Sequence, residues 1–109
     1  MTPALKPPDD NVCEVSVFGP GYGECIVIHI GYGQWIIVDS CIETETQKPV
    51  ALSYFETIGI NPSNAVKLIV ATHWHADHVR GLSDLVNCCK HASFSCSSAL
   101  SGEEFHAFL

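Results

Sequence analysis

Two runs, Ile26-Val27-Ile28 and Trp35-Ile36-Ile37-Val38, are apolar at every position rather than at alternate ones. Successive side chains of a strand point to opposite faces, so strands of this kind need cover on both sides of their sheet, as parallel or sandwiched sheets do. A third run, Val66-Lys67-Leu68-Ile69-Val70, has nearly the same character. The length, 109 residues, suits one domain with a modest core. Strands are expected near residues 12–18, 24–30 and 34–39, separated by glycine-rich turns at 19–23 and 31–33. A helix is expected over 47–58: Pro49 suits its first turn, Val50, Tyr54 and Ile58 share a face, and Gly59 is a stop. Asn61-Pro62-Ser63-Asn64 reads as a turn. A strand over 66–70, a helix over 82–89 carried by Leu82, Leu85, Val86 and Cys89, and a strand near 92–97 follow. The class is therefore α/β (α+β). Its two main helices can shield one face of the sheet only, so the other face predicts a second copy of the chain or further polypeptide against it.

Composition excludes more than it selects. Twelve Asp and Glu against five Lys and Arg give a net charge of -7 with no basic stripe, which opposes non-specific nucleic-acid binding, a process that relies on cations neutralising phosphates. No run is long enough to span a membrane. Residues 1–11 are Pro- and Asp-rich without an apolar stretch, and read as a flexible tail rather than a secretory signal. The six cysteines include no C-x-x-C. Cys13, Cys25 and Cys96 fall in expected strands and Cys88-Cys89 on a helix, so they read as reduced, buried thiols of a cytoplasmic protein. Cys41, two residues past Asp39, could lie near a metal but reads better as a small packed residue.

The chemistry is concentrated in Thr72-His73-Trp74-His75-Ala76-Asp77-His78, directly after the third apolar run. Isolated histidines beside strands are usually hydrogen-bonded surface groups. Three imidazoles and a carboxylate at this spacing instead point to metal. In a segment leaving a strand, His73 and His75 project to the same side and can share one ion. Asp77 and His78, adjacent on a loop or first helical turn, diverge from that pair and can reach a second ion. Nitrogen and oxygen donors of this kind suit Zn2+. Arg80 is the cation best placed to meet an anionic substrate, although a solvated or ion-paired Arg is the plainer reading.

The H-x-H-x-D-H order after a hydrophobic strand, with Gly81-Leu82 following, resembles the signature of the metallo-β-lactamase-fold hydrolases. Gln34-Trp35-Ile36-Ile37-Val38-Asp39-Ser40 is similar to that family's strand ending in an acidic residue before a small one. Gly19-Pro20-Gly21-Tyr22-Gly23-Glu24, followed by Cys25-Ile26-Val27-Ile28, is similar to the first hairpin of the branch that includes the C-terminal domain of the competence DNA-uptake protein. The resemblance implies the N-terminal half of an αββα sandwich over residues 12–109. It implies His73 and His75 as ligands of a first zinc, Asp77 and His78 as ligands of a second, and Asp77 beside the attacking water. It also implies that Asp39 hydrogen-bonds and orients the histidine loop. Manganese or iron are alternatives to zinc.

The chain departs from the family's pattern as well. The remaining histidine and aspartate ligands of the family come from a downstream half, and only His91 and His106 lie downstream here. His91 sits at the end of the second helix and His106 follows a Ser101-Gly102-Glu103-Glu104 capping box. Neither spacing fits the missing ligands. A truncated product, a segment limited to the N-terminal half, or a short protein completed by a second copy would each account for this, and truncation ranks first. The expected function is a metal-dependent hydrolase in which a metal-activated water attacks a carbonyl or phosphorus centre, with a phosphodiesterase or nuclease preferred among the family's activities and the chain inactive alone. The competing expectation is a non-catalytic module, an incomplete or degenerate domain that binds metal weakly and serves in assembly.

Overall fold

A computed structural model describes residues 6–19, 24–72 and 81–96. Five strands form one sheet in the order β1-β2-β3-β4-β5: β1 Glu14–Phe18, β2 Cys25–Gly31, β3 Gln34–Val38, β4 Val66–Ala71 and β5 Ser93–Cys96. The helices are α1 Val50–Ile58, the single turn α2 Pro62–Ala65, and α3 Leu82–Cys88. β1, β2 and β3 are antiparallel neighbours, whereas β3, β4 and β5 run parallel. The result is a mixed α/β arrangement, one five-stranded sheet with its helices in the crossovers.

The hairpin between β2 and β3 closes on Tyr32 and Gly33, both with positive φ, at 51° and 71°, a backbone that matches the right-handed twist of the flanking strands. Parallel β3 and β4 need a crossover, and α1 supplies it; α3 does the same for β4 and β5. Both crossovers step the same way along the sheet, so a common handedness brings α1 and α3 to one face.

Register shows what those helices cover. Val27 pairs with Ile37, His29 with Trp35, and Ile37 with Ile69, so these side chains share one face. Trp35, Phe55, Ile37, Ile69, Leu82 and Leu85 are fully buried there. Trp35 is the centre of an aromatic group, 5.1 Å from Phe55, 6.1 Å from Tyr54 and 4.9 Å from His29 between ring centroids. Tyr54 also donates its hydroxyl to Glu14 Oε1 at 3.1 Å, tying α1 to the edge strand β1. The opposite face carries Val15 and Val17 beside Ile28 and Ile26, then Ile36 and Val38 beside Leu68 and Val70. Val15 and Val17 are 58% and 67% exposed, and the other six are only half-buried. Each apolar run therefore divides its side chains between a helix-covered face and one that no described helix covers.

Several expectations need correction. The strands begin or end one or two residues from the expected points, and α1 starts at Val50, because Pro49 (φ -54°, ψ 130°) is still extended and serves as N-cap. The buried face of α1 is Ala51, Phe55 and Ile58 rather than Val50, Tyr54 and Ile58, since the ring of Trp35 is met by Phe55. Gly59 ends the helix as expected. Its φ of 76° lies in the left-handed region, and its N–H reaches back to the carbonyls of Glu56 and Phe55. The segment read as a turn at Asn61 is a one-turn helix, with Asn61 Oδ1 accepting from Ser63 N at 3.0 Å and Pro62 at its start. Val86 faces solvent instead of the core, being 36% exposed. Of the cysteines expected to be buried, Cys13, Cys88 and Cys96 are exposed; all six are free thiols. Cys13 precedes β1, and Cys88 lies on the outer side of α3.

Asp10, expected in the tail, is held to the β2–β3 turn, its carbonyl accepting from Tyr32 N at 2.8 Å. Next to it, His29 is buried and bonded at both ring nitrogens: Nδ1 donates to Val12 O at 2.6 Å and Nε2 accepts from Gly33 N at 3.2 Å. A carbonyl at one nitrogen and an N–H at the other leave only the neutral ring protonated on Nδ1.

Candidate metal centre

The parallel pairing of Val38 with Val70 brings the C-terminal ends of β3 and β4 side by side. Ends of this kind are where open α/β sheets place their sites. Asp39 follows β3, Thr72 follows β4, and the two meet. Asp39 is 6% exposed, with φ of 61°, a left-handed conformation that Asp tolerates better than most residues. Its N–H donates to Val70 O at 2.7 Å, extending the β3–β4 ladder by one bond. Its carboxylate accepts from Thr72 N at 2.7 Å through Oδ1 and from Thr72 Oγ1 at 2.5 Å through Oδ2. Such charge-assisted bonds are stronger than neutral ones. A buried carboxylate is thereby fixed against the residue that immediately precedes His73.

Two thiols lie beneath this carboxylate. Burial pushes the Cys25 thiol up to about 12, with the nearby Cys41 and Asp39 adding to the rise. Cys41 is raised as well, by burial. Both are neutral thiols of the hydrophobic core, so Cys41 is the packed residue that its size suggested. His91, in contrast, is an exposed turn residue just past α3.

Where the chain returns at residue 81, a second close approach occurs. Gly81 has φ of 77°, and a Cβ placed on it would lie 2.8 Å from Pro49 Cγ and 3.0 Å from Ile42 Cγ2. No other residue type fits here without displacing Pro49 or Ile42. Sequence reasoning marked Gly81 only as part of a motif, because its packing partners are far away in the chain.

His73, His75, Asp77 and His78 lie outside the described residues, as do Arg80, His106 and the capping box at 101–104. Among the described residues, no three His, Cys, Asp or Glu side chains come together as a metal-binding group. The donor chemistry of the histidine-rich segment nevertheless fits a divalent ion, since imidazoles and a carboxylate are its usual nitrogen and oxygen ligands. Both oxygens of Asp39 accept from Thr72, the residue on which the histidine-rich segment begins.

A mixed sheet whose parallel strand β4 leads in sequence into a histidine-rich segment defines the class, an α/β protein. The family model of the metallo-beta-lactamase superfamily matches residues 18–100, the greater part of the chain and a span that includes the whole histidine-rich segment. The chain belongs to this superfamily, whose members are mostly hydrolases that bind divalent metals. No curated protein matches it. Among the described residues no helix is long and apolar enough to cross a membrane.

Proposed function

We propose that this chain carries four of the ligands of a hydrolase site that uses divalent ions to activate water, with zinc preferred over manganese or iron. His73 and His75 would hold one ion, and Asp77 and His78 a second, with Asp77 also orienting the water. The observation that carries this reading is the doubly bonded contact of Asp39 with Thr72, which anchors the residue next to His73 by a buried carboxylate. When bound, such ions supply Lewis acidity and bring the pKa of water from 15.7 to about 7. The chain's own part is to hold the donors in place. A phosphodiester is the preferred substrate, supported by the likeness of the glycine-rich β1–β2 hairpin to the competence-protein branch and by a donor set suited to hard cations.

Four donors shared between two ions leave about two protein ligands each, short of the three or four that hold zinc tightly. The isolated chain is therefore expected to bind zinc weakly and to be inactive. Titration with Zn2+ tests this. Binding should vanish when His73, His75, Asp77 and His78 are all replaced by alanine, and unchanged binding would overturn the assignment. Two zincs retained per chain after dialysis would overturn the divided site. With the downstream ligands supplied, cleavage of bis-p-nitrophenyl phosphate ahead of a thioester or a β-lactam supports the substrate class, and the reverse order refutes it.

A further inference from the structure

The segment that follows β3 touches both residues that flank 73–80, Thr72 and Gly81, and it is built as one body. Asp39 N bonds Val70 O at 2.7 Å, Cys41 O accepts from Val50 N at 2.9 Å, and Glu43 N donates to Lys48 O at 2.9 Å. Ile42 and Pro49 form an antiparallel bridge. Within the loop they close, Gln47 N bonds Glu43 O at 2.9 Å and Thr46 Oγ1 bonds Glu43 Oε2 at 3.2 Å. Lys48 pairs with Glu56 on α1, joining the loop to the helix. One end of this body holds Thr72 through the Asp39 carboxylate. The bridge pair Ile42 and Pro49 closes on Gly81.

We propose that residues 39–49 form a positioning platform for the metal-ligand segment, with Asp39 fixing its start at Thr72 and the Ile42–Pro49 bridge fixing its end at Gly81. Holding both flanks of residues 73–80 on one cross-bonded body limits the conformations open to a chain joining them, which lowers the entropic cost of bringing its donors to an ion. Pro49 strengthens the arrangement because its ring fixes φ and its side chain is buried against the glycine. Ile42 and Pro49 are positioning residues in this scheme. The inference rests on the metal reading for its consequence, though not for its geometry.

Gly59 provides the matched control. It has φ of 76°, against 77° at Gly81, but a Cβ there would meet nothing within 4 Å. Gly59→Ala therefore carries the backbone strain without the steric one, and the difference between the two variants isolates the platform contact. Two measurements on the full chain read it: hydrogen–deuterium exchange of residues 73–80 without metal, and Zn2+ affinity by competition with a chromophoric chelator. Gly81→Ala should speed exchange in that segment and weaken Zn2+ binding by roughly tenfold or more relative to Gly59→Ala, the range seen when the supports of ligands are lost. Ile42→Ala, which loosens the platform without adding bulk, should speed exchange of 73–80 even if Gly81→Ala does not fold. Exchange and affinity that are the same in Gly81→Ala and Gly59→Ala, or exchange of 73–80 that Ile42→Ala leaves unchanged, would overturn the platform. A wild-type chain that binds no Zn2+ would overturn the metal reading instead, while the exchange comparison still decides the platform.

Discussion

Asp39 accepts both hydrogen bonds that Thr72 can direct at it, one from the backbone N–H at 2.7 Å and one from the side-chain hydroxyl at 2.5 Å. A carboxylate with two oxygens matches the two donors of a single threonine, and the pair joins the ends of adjacent parallel strands. That relationship places the start of the histidine-rich segment.

Replacing Asp39 with alanine should weaken zinc binding by roughly 10–100-fold once the complete ligand set is present, because the support of the ligand segment is gone. The loss of bonds to a buried charged acceptor should cost about 1–3 kcal/mol of stability without unfolding the domain. Asp39→Asn should be milder, since Asn also tolerates the φ of 61° and still accepts from Thr72 N. Chelator competition and thermal denaturation measure the two effects separately. Unchanged zinc affinity in Asp39→Ala would reduce the residue to a strand-end cap.

The apolar runs and the turn glycines made the sheet and the helix-covered core legible, because strand parity and the Gly59 stop are local signals. The face of α1 was less so. Val50, Tyr54 and Ile58 and the observed Ala51, Phe55 and Ile58 are neighbouring stripes of one helix, and contact with Trp35 decides between them. Parity also puts His29 on the face of Cys25 and Val27, yet its acceptor at Val12 and donor at Gly33 come from other segments. At the candidate site, Asp39 was singled out by the likeness of its strand to a family motif, since its place at a strand end alone reads equally well as a cap. Ile42 and Pro49 were not, since nothing in their local sequence records an approach to Gly81.

Thiol chemistry should divide the cysteines into two groups. Cys13, Cys88 and Cys96 are exposed, whereas Cys25, Cys41 and Cys89 are buried, with Cys25 and Cys89 both pushed up to about 12 by burial. Alkylation of the folded chain at pH 8 should modify the exposed three and spare the others. The raised pKa also sets a sign. Below pH 9 Cys25 is a neutral thiol in both folded and unfolded chains; between 9.0 and about 12 only the unfolded chain ionises. Stability should therefore fall as pH rises through this window, by up to about 1.4 kcal/mol per pH unit from this group. Urea titrations at pH 8 and 10 check it, and Cys25→Ala should flatten the dependence.

His29 should matter for stability at the end of the sheet away from Asp39. His29→Phe keeps an aromatic ring against Trp35 but leaves Val12 O and Gly33 N without their partner, and should cost about 1–3 kcal/mol in chemical denaturation. Zinc affinity should be unaffected, because His29 pairs with Trp35 at the start of β3 while Asp39 follows its end. A variant as stable as the wild type would show that these two bonds contribute little in the folded chain.

The sheet face opposite the described helices predicts association. Val15, Val17, Ile26, Ile28, Ile36, Val38, Leu68 and Val70 are contiguous across four strands by register, and soluble monomers seldom present an apolar surface of this extent. We expect the isolated chain to bury this face against a second copy or to aggregate, with light scattering at tens of micromolar giving a mass above that of one chain. Val15 and Val17 are the most exposed of the group, so Val15→Lys together with Val17→Glu can disrupt the surface without entering the core. Those changes should shift the chain toward monomer and leave its thermal stability nearly unchanged, as exposed substitutions usually do. A well-folded wild-type monomer at the same concentration would mean that the face is tolerated in water, and the idea would fail.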